Sequence, residues 1–501
     1  MQRVAIIGGG VGGLATACLL AKGGCRVTLY EQHGQLGGRA GSLRASGFTF
    51  DTGPSWLLMP EVFAHFFERL GESLAQHLQL TTLTPSYRLV YADGASLTMS
   101  PDLKQNMAAF ERLSPGAGQQ LARYHAKTEH LYQTVMQHFL YENYQQPRQL
   151  LAKLLHLPGL PWHASLQAQV GRSFRDERLQ QALLLPSLFL GTPPSRTPAV
   201  YGMLNYAMLT GVCYPQGGLY TLVQALEKIG TRLGVRFVTN AAVDAIAVHD
   251  GRATGVVVNG HEQAADVVIS NAGLYQTEMQ LLPSRLRAHN SRWWRGRQWA
   301  PSAILLYLGV DRRYPQLAHH NLVVSGDWHA DIDTMFTGHD FPQDPSLYVC
   351  APSRSDPTVA PPGCENLFVL APLPIGLRCR ADQLQAYGDT VITAIQQRLG
   401  LADLRKHVVV RRSFAAQDFT DRFGTPYGSA LGLSHTLRQS ALWRQSAAST
   451  TVKNLYFVGA DAQPGIGLPS VLISAELLAD RLLPAENAEG NDVNQDHPAA
   501  Q

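Results

Sequence analysis

Charged residues are scarce in this sequence, and its basic residues form no cluster. Asp, Glu, Lys and Arg make up 16% of the 501 residues, whereas hydrophobic residues make up 45%. The 41 basic and 38 acidic side chains are interleaved and leave a net charge of only +3. Without a basic patch for phosphates, nucleic acid is not an expected partner. The apolar composition predicts surface that meets lipid, a ligand or another protein.

Cysteine pairs and long hydrophobic runs are also missing. The six cysteines form no CxxC pair and no metal-ligand spacing, so we expect reduced thiols and no bound metal. No stretch reaches the roughly 18 consecutive apolar residues that cross a bilayer, and the best run, 182–190, is interrupted by Pro186. The N-terminus has no signal-peptide pattern. We therefore expect a cytoplasmic chain whose membrane contact is peripheral.

The first thirty residues predict the opening of a doubly wound sheet. A buried strand over 3–7, a helix over 11–22 and a second strand over 26–30 form a βαβ unit. The pattern is then helical from Phe63 to about Trp162. Later elements restore α/β character: a helix over 219–233, strands over 235–239, 267–271, 303–310, 346–351, 366–370 and 454–458, and a closing helix over 470–483.

A glycine-rich motif joins the first predicted strand to the first helix. Gly8, Gly10 and Gly13 match GxGxxG, which permits a tight turn, close approach of a pyrophosphate and close packing of helix on strand. The helix N-terminus favours the negative charge. Glu31 ends the second strand, where a carboxylate accepts hydrogen bonds from a ribose and repels a 2′-phosphate. The motif predicts a dinucleotide other than NADP.

Several further motifs resemble a known family. Gly37-Gly38-Arg39 follows Glu31, and residues 458–461 read Val-Gly-Ala-Asp near the C-terminus. With the GxGxxG motif, these elements resemble the flavin-containing amine oxidase superfamily. Residues 50–54 (FDTGP), 214–218 (YPQGG) and 459–469 (GADAQPGIGLP) are similar, more narrowly, to bacterial phytoene desaturases. The resemblance spans nearly the whole chain.

The resemblance implies FAD as the cofactor. The residues that it assigns to the adenosine and pyrophosphate are Gly8, Gly10, Gly13, Glu31, Gly38 and Arg39, with the backbone of Val243 at the adenine. The residues that it assigns to the ribityl chain and the isoalloxazine are Gly459, Asp461, Gly467 and Pro469. The last helix would then point its N-terminus at the flavin, where it favours negative charge. No catalytic side chain is implied.

The implied architecture is α/β, with a Rossmann-like FAD-binding domain, a mixed-sheet substrate domain and a helical insertion that faces a membrane. The expected FAD-binding domain comprises 1–75, 205–300 and 446–484. The expected substrate domain comprises 76–130 and 301–445, and the insertion 131–204. Residues 485–501 are polar and are expected to be disordered.

The implied activity is FAD-dependent desaturation of a carotenoid precursor of the phytoene type, in which hydride transfer to the flavin creates conjugated double bonds. The implied partners are a long apolar polyene, the cytoplasmic face of a membrane, and a quinone or oxygen as electron acceptor. Two alternatives remain open: a redox-neutral carotenoid isomerase, and a non-catalytic isoprenoid-binding protein with the same fold.

Two positions depart from the pattern common in the family. Ala462-Gln463 stands where many relatives carry Thr-His, and Gln216 stands where an Arg is common. Both positions are expected near the substrate. Asp461 also has a simpler interpretation, as a surface carboxylate that caps the end of a strand.

Three other features of the sequence each allow more than one interpretation. Asp51 is either a proton acceptor beside the flavin or a turn-forming group. His319 and His320 are adjacent, and neighbouring residues of a strand point to opposite faces, so we expect a structural or surface pair that shares no metal ion. The stretch 132–162 mixes aromatic, aliphatic and basic residues, which suits either a membrane-facing layer or a cap over the substrate domain.

Overall fold

The computed structural model describes residues 1–142 and 164–484. The strands are β1 Arg3–Ile7, β2 Arg26–Tyr30, β3 Ser42–Ala45, β4 Phe48–Asp51, β5 Leu80–Thr82, β6 Tyr87–Val90, β7 Ser96–Met99, β8 Cys213–Pro215, β9 Arg236–Val238, β10 Val243–His249, β11 Arg252–Val258, β12 His261–Ala264, β13 Val267–Ser270, β14 Ser302–Val310, β15 His320–Val323, β16 Leu347–Cys350, β17 Glu365–Leu373, β18 Val408–Phe414 and β19 Leu455–Phe457.

The α-helices of the same residues are α1 Val11–Lys22, α2 Pro60–Arg69, α3 Leu74–His77, α4 Leu103–Leu113, α5 Ala117–Val135, α6 Leu166–Ser173, α7 Glu177–Phe189, α8 Met203–Thr210, α9 Tyr220–Arg232, α10 Leu274–Gln276, α11 Ser291–Arg295, α12 Trp328–Thr337, α13 Ala381–Arg398, α14 Leu404–His407, α15 Ala416–Phe423 and α16 Leu468–Leu482. The π-helical turns Met136–Leu140 and Thr277–Leu281 continue α5 and α10.

A five-stranded parallel sheet, in the order β19-β13-β1-β2-β9, forms the first layer. Ile6 lies at its centre and pairs with Leu29 on one side and Ile269 on the other. These strands are almost continuously apolar because both faces of the sheet are covered. Ile6 and Leu29 share a core with the helices α1, α9 and α16. Ala5 and Val268, on the other face, pack against β10 and β11 of a three-stranded antiparallel sheet, β10-β11-β12. The predicted βαβ opening is therefore confirmed, with the predicted bounds.

A seven-stranded mixed sheet, in the order β18-β14-β17-β16-β15-β6-β7, forms the second layer. Its neighbouring strands are antiparallel except β15 and β6. Leu306 of β14 faces a core that includes Val391 and Ile395 of α13, whereas Leu305 faces Phe48 on the other side. The alternation places one face of this sheet toward the first layer. The predicted α/β fold class, with a parallel sheet and a mixed sheet, is therefore confirmed.

The predicted helical pattern from Phe63 to Trp162 holds in α2 to α5 but is wrong over residues 80–99. Residues 80–99 instead contain the strands β5, β6 and β7, and β6 and β7 form a hairpin. Tyr87 and Leu89 are buried on one face, and Gly94, with a φ of +84°, supplies the left-handed turn. Pairing of β6 with β15, more than 200 residues later, completes the sheet. Because the two strands are so far apart in the sequence, their pairing produces no local pattern from which the strand could be predicted.

Two predicted features, the layer that faces a membrane or caps the substrate domain and the disordered tail, are partly or wholly untested by the structure. Most of the stretch 132–162 and the whole tail 485–501 lie outside the described residues. Within 1–142 and 164–484, no helix combines the length and apolar character needed to cross a membrane. The domain boundaries stay a prediction.

Candidate cofactor site

The glycine-rich loop follows β1 and begins α1. The backbone N–H of Gly8 donates to the carbonyl of Tyr30 at 2.8 Å, and Gly8 has a φ of +96°, which favours glycine. A Cβ on Gly13 would lie 2.2 Å from the Gly8 oxygen. The loop therefore packs helix on strand without side chains, as the motif predicts, and leaves its own N–H groups near the start of α1.

Glu31 lies directly beside this loop. Its Oε2 accepts the Gly9 N–H at 2.8 Å and its Oε1 accepts the His33 N–H at 2.9 Å. The residue is only 6% exposed, and the carboxylate lines the same cavity as the loop. Because a carboxylate accepts up to about four hydrogen bonds, both oxygens retain acceptor capacity for ribose hydroxyls.

The second loop, Gly37-Gly38-Arg39, packs against the first. The Gly37 N–H donates to the Gly9 carbonyl at 2.8 Å, and a Cβ on Gly38 would lie 3.2 Å from the Cα of Gly10. Arg39 places its guanidinium in the cavity wall, and its Nε has no hydrogen-bond partner among the described residues. Burial lowers the pKa of Arg39, and the charge of Asp461 partly opposes that shift. The guanidinium lies over the Phe423 ring, and its free Nε–H suits a phosphate oxygen.

The C-terminal motif lines the same cavity as these loops, and a Cβ on Gly12 would lie 3.2 Å from the Cα of Gly459. Asp461 accepts the Leu274 N–H at 3.1 Å and lines the cavity, so it is not the surface cap of the simpler interpretation. Gly467 precedes α16, with a φ of +110°, and Pro469 is the second residue of that helix. The N-terminus of the 15-residue helix α16 therefore points into the region that Gly467 lines.

One cavity of about 380 Å³ brings the two ends of the chain together. The predicted site residues that line it are Gly8, Gly10, Glu31, Gly38, Arg39, Val243, Gly459, Asp461 and Gly467. The other two, Gly13 and Pro469, lie outside the lining: Gly13 packs α1 on the loop, and Pro469 begins α16. Their contact with a cofactor stays a prediction.

Asn271 is a central residue of the site that the sequence analysis did not identify. Its Nδ2 donates to the Gly8 carbonyl at 3.2 Å, and a Cβ on Gly459 would lie 2.5 Å from its Oδ1. It therefore joins the glycine loop to the C-terminal motif. A signal was available, because Asn271 ends the predicted strand 267–271 and carboxyl ends of parallel strands share one edge of a sheet.

His435 and Arg444 support the C-terminal turn and were also missed. The Nε2 of His435 accepts the Ile466 N–H at 3.0 Å, and its Nδ1 lies 2.8 Å from the hydroxyl of Tyr201. Burial lowers the pKa of His435 well below its usual range, so the ring is neutral and accepts through Nε2. Arg444 donates to the carbonyl of Ala460. Both residues lie in irregular segments, where no sequence pattern indicates them.

An apolar wall completes the cavity on the side of the mixed sheet. Leu305 of β14 and Leu370 of β17 are cross-strand partners, and both line the cavity. Phe368, Trp299 and Phe419 extend this wall. The cavity thus has a polar half that suits a dinucleotide and an apolar half that suits a hydrocarbon.

The positions that depart from the family pattern lie outside this lining. Gln216 is exposed, and its N–H donates to the Gln79 carbonyl. Ala462 is 1% exposed, and the Gln463 amide donates to the Ala441 carbonyl at 2.9 Å. Neither departure changes the cavity wall.

Asp51 caps a helix in the structure. Its two oxygens accept the N–H groups of Leu219 at 2.8 Å and Tyr220 at 3.0 Å, at the start of α9. Burial raises the pKa of Asp51 to about 6, although these hydrogen bonds lower it. Because Asp51 does not line the cavity, the structural interpretation is favoured over a proton acceptor.

The prediction that His319 and His320 point to opposite faces is wrong. Strand β15 begins only at His320, so the alternation of a strand does not apply to His319. The two rings have centroids 4.4 Å apart, and both are buried. Burial lowers the pKa of His319 to about 3 and that of His320 well below its usual range. They form a neutral buried pair.

The residues of the cavity fit FAD. The glycines leave a cradle that a Cβ would fill, the Glu31 carboxylate suits a ribose, and a pyrophosphate would supply the acceptor that the Arg39 Nε–H lacks. The family model of the flavin-containing amine oxidoreductases matches residues 11–483. This chain belongs to that family. The predicted flavin cofactor, FAD, and the oxidoreductase class are confirmed.

Similar proteins confirm the narrower resemblance to the carotenoid desaturases. A carotenoid 3,4-desaturase of Haloarcula japonica is 39% identical over 96% of this chain and 98% of its own length. A zeta-carotene-forming phytoene desaturase of Myxococcus xanthus is 37% identical over 100% of this chain and 97% of its own. An oxidoreductase from Methanosarcina mazei has the same fold, with a TM-score of 0.61 at 18% identity, over 96% of this chain and 100% of that one.

Proposed function

We propose that this protein is an FAD-dependent desaturase of carotenoid precursors of the phytoene type. The observation that carries the proposal is the cavity, in which the dinucleotide-binding loops face an apolar wall of the mixed sheet. The relatives named as carotenoid and phytoene desaturases support the substrate class. Nothing in the comparisons favours a redox-neutral isomerase or a non-catalytic isoprenoid-binding protein.

The residues of the chain bind, orient and exclude water. FAD, when bound, accepts the hydride that a saturated carbon–carbon bond gives up as it becomes a double bond. Leu305, Phe368 and Leu370 offer an apolar surface on which a polyene can lie beside the cofactor region. The neighbouring carbon must also lose a proton, and the described lining includes Glu31 and Asp461, whose oxygens already accept backbone N–H groups. The geometry thus favours alignment over strong acid–base catalysis.

Pigment analysis tests this proposal directly. The full chain is expressed in a bacterial host that accumulates phytoene, and the pigments are separated and identified by absorption and mass. We expect products with longer conjugation and two hydrogens fewer per step. An isomer of unchanged mass would support the isomerase, and unchanged phytoene with soluble, flavin-bound protein would contradict both enzymes.

We also propose that the chain works at the cytoplasmic face of a membrane, where such a substrate dissolves. Support comes from Leu437 and Trp443, whose exposed fractions are 48% and 73%. They belong to a segment that follows His435, whose N–H donates to Thr192 Oγ1 at 2.7 Å. Thr192 belongs to the expected insertion 131–204, so this segment contacts a described residue of that insertion, and we propose Leu437 and Trp443 as membrane contacts.

The electrons must leave the cofactor for an external acceptor, and we propose oxygen or a membrane quinone. A quinone suits a protein at a membrane surface, since both would be reached from the same face. Anaerobic turnover with an added quinone distinguishes the two acceptors: product without oxygen supports the quinone, whereas product only in air supports oxygen.

A further inference from the structure

A buried group of metal-ligating side chains lies outside the cofactor site, in the mixed sheet. His320 of β15 and Cys350 of β16 are directly opposite each other in the antiparallel ladder, so their side chains share one face. His319 precedes β15, and its carbonyl accepts the Ala351 N–H at 2.7 Å. One ring nitrogen of each histidine and the Cys350 sulfur lie within 4.8 Å of one another. All three residues are at most 3% exposed.

The outer side of each ring is held by a hydroxyl group. The Nδ1 of His319 lies 3.0 Å from the Oγ of Ser355, and the Nδ1 of His320 lies 2.8 Å from the hydroxyl of Tyr348. The Tyr348 hydroxyl is itself 2.6 Å from the Oγ of Ser55. Metal-binding histidines usually have this arrangement, in which an outer partner fixes the ring and leaves the other nitrogen for the metal.

The other nitrogen of each ring, Nε2, has no partner among the described residues. The Nε2 atoms of His319 and His320 are buried, and neither makes a hydrogen bond to any residue of 1–142 or 164–484. A buried polar atom without a partner is costly, so native structures usually provide one. Two such atoms in one buried group with a thiol indicate a missing ligand that accepts electron pairs.

We propose that His319, His320 and Cys350 form a zinc site. Two imidazole nitrogens and one thiolate are a donor set typical of Zn²⁺, whereas Mg²⁺ and Ca²⁺ prefer oxygen ligands. On binding, the Cys350 thiol releases its proton to solvent and the sulfur forms a bond to the metal. A water molecule takes the fourth position of the tetrahedron.

Metal binding requires a small movement of the three side chains. Zinc bonds of about 2.0–2.3 Å place tetrahedral ligand atoms about 3.3–3.8 Å apart, so the ligands must approach by about 1 Å. The ion would join β15 to β16. Tyr348 of β16 lies beside Phe368 of the cavity wall, with ring centroids 6.1 Å apart. The site would therefore stiffen the sheet behind that wall, independently of the proposed function.

The first experiment measures metal in the wild-type flavoprotein, purified without a polyhistidine tag or chelator. We expect close to one zinc per chain by mass spectrometry of the elements. The X-ray absorption spectrum of the zinc should show one sulfur neighbour with nitrogen neighbours. In protein stripped of metal, added Zn²⁺ should raise Tm by about 3 °C or more. A chain without zinc and without a Tm response would overturn the proposal.

Variants test whether Cys350, and not another cysteine, binds the zinc. Cys350→Ser and His320→Asn should lose the zinc and its Tm response, whereas Cys364→Ser, at a partly buried cysteine elsewhere, should keep both. If Cys350→Ser fails to fold, the wild-type X-ray absorption spectrum still shows whether a sulfur atom binds the zinc. Zinc that is retained by folded Cys350→Ser, or a spectrum with oxygen and nitrogen neighbours alone, would contradict the assignment.

Discussion

The backbone N–H of Gly9 donates a 2.8 Å hydrogen bond to the Oε2 of Glu31, so the residue expected to bind the ribose also holds the glycine-rich loop in place. The other oxygen accepts the His33 N–H at 2.9 Å. The carboxylate thus orders two backbone segments before any ligand arrives. The side chain that holds the loop is thus the same one that is predicted to bind the cofactor.

Replacing this carboxylate tests both roles. In Glu31→Gln the amide nitrogen faces one of the two backbone N–H groups, which leaves a buried donor without an acceptor. We expect the free energy of unfolding to fall by about 1–3 kcal/mol and the Kd for FAD to rise at least about tenfold. Titration of stripped protein with FAD and urea unfolding measure the two effects. The control Glu262→Gln changes an exposed carboxylate and should match the wild type in both.

Two glycine-to-alanine changes in helices should have opposite effects. In Gly13→Ala the new Cβ would lie 2.2 Å from the Gly8 carbonyl oxygen, so α1 must move away from the loop. We expect a loss of about 1–3 kcal/mol in unfolding free energy and weaker FAD binding. In Gly171→Ala, in α6, no atom lies within 4 Å of the added Cβ, so the helix should gain up to about 1 kcal/mol. Equal effects in urea unfolding would contradict this account.

The sequence was sufficient to predict the βαβ opening and most of the cofactor cavity. The bounds of β1, α1 and β2 agree because buried apolar strands, a glycine turn and a helix are all encoded by neighbouring residues. The C-terminal motif is assigned to the same site by the family resemblance, and in the structure it follows β19, which pairs in parallel with β13.

The remaining features depend on contacts between distant parts of the chain. Strand β6 pairs with β15, which no local pattern records. Asn271 contacts both Gly8 and Gly459, and its own position at a strand end is the only signal for these contacts in the sequence. His319 and His320 converge because β15 begins at His320, so His319 lies just before the strand. A residue outside a strand does not follow its alternation, and sequence patterns do not set strand boundaries to within one residue.

Asp51 should make the stability of the protein depend on pH. Its pKa rises from 3.8 to about 6 on folding, so the folded state binds the proton more tightly than the unfolded state. The contribution of Asp51 to the free energy of unfolding is therefore greatest below pH 4. It is lost as the pH rises through 6, and the loss amounts to at most about 3 kcal/mol. Relative to Asp51→Asn, wild-type unfolding free energy should fall between pH 4 and 7.

The control for this pH dependence is Asp250→Asn, on the exposed turn between β10 and β11. Its urea unfolding should follow the wild type across the same pH range. A constant difference between the wild type and Asp51→Asn from pH 4 to 7 would show that the Asp51 carboxyl keeps an ordinary pKa in the folded protein.

The exposed segment near the insertion should contribute to membrane binding. Removing the apolar surface of Trp443 and Leu437 in the double variant Trp443→Ser, Leu437→Ser costs about 2 kcal/mol or more of lipid contact. We expect the partition coefficient onto lipid vesicles to fall more than about tenfold in sedimentation assays. Val409→Ser, at a residue of β18 that is 54% exposed, is the matched control and should bind as the wild type does. Equal sedimentation of all three proteins with the vesicles would show that this segment does not contribute to membrane binding.

Arg39 should have opposite effects on the free protein and on cofactor binding. Its Nε lacks a hydrogen-bond partner in the described structure, and burial lowers its pKa, so the guanidinium is poorly compensated until an anion arrives. In Arg39→Met the side chain keeps much of its length without the charge. We therefore expect the stripped protein to melt at the same or a higher Tm, while the Kd for FAD rises at least about tenfold because a charge-assisted contact with the pyrophosphate is lost. Arg172→Met, on the exposed surface of α6, should change neither quantity. A lower Tm of stripped Arg39→Met with unchanged FAD affinity would assign Arg39 to folding and not to the cofactor.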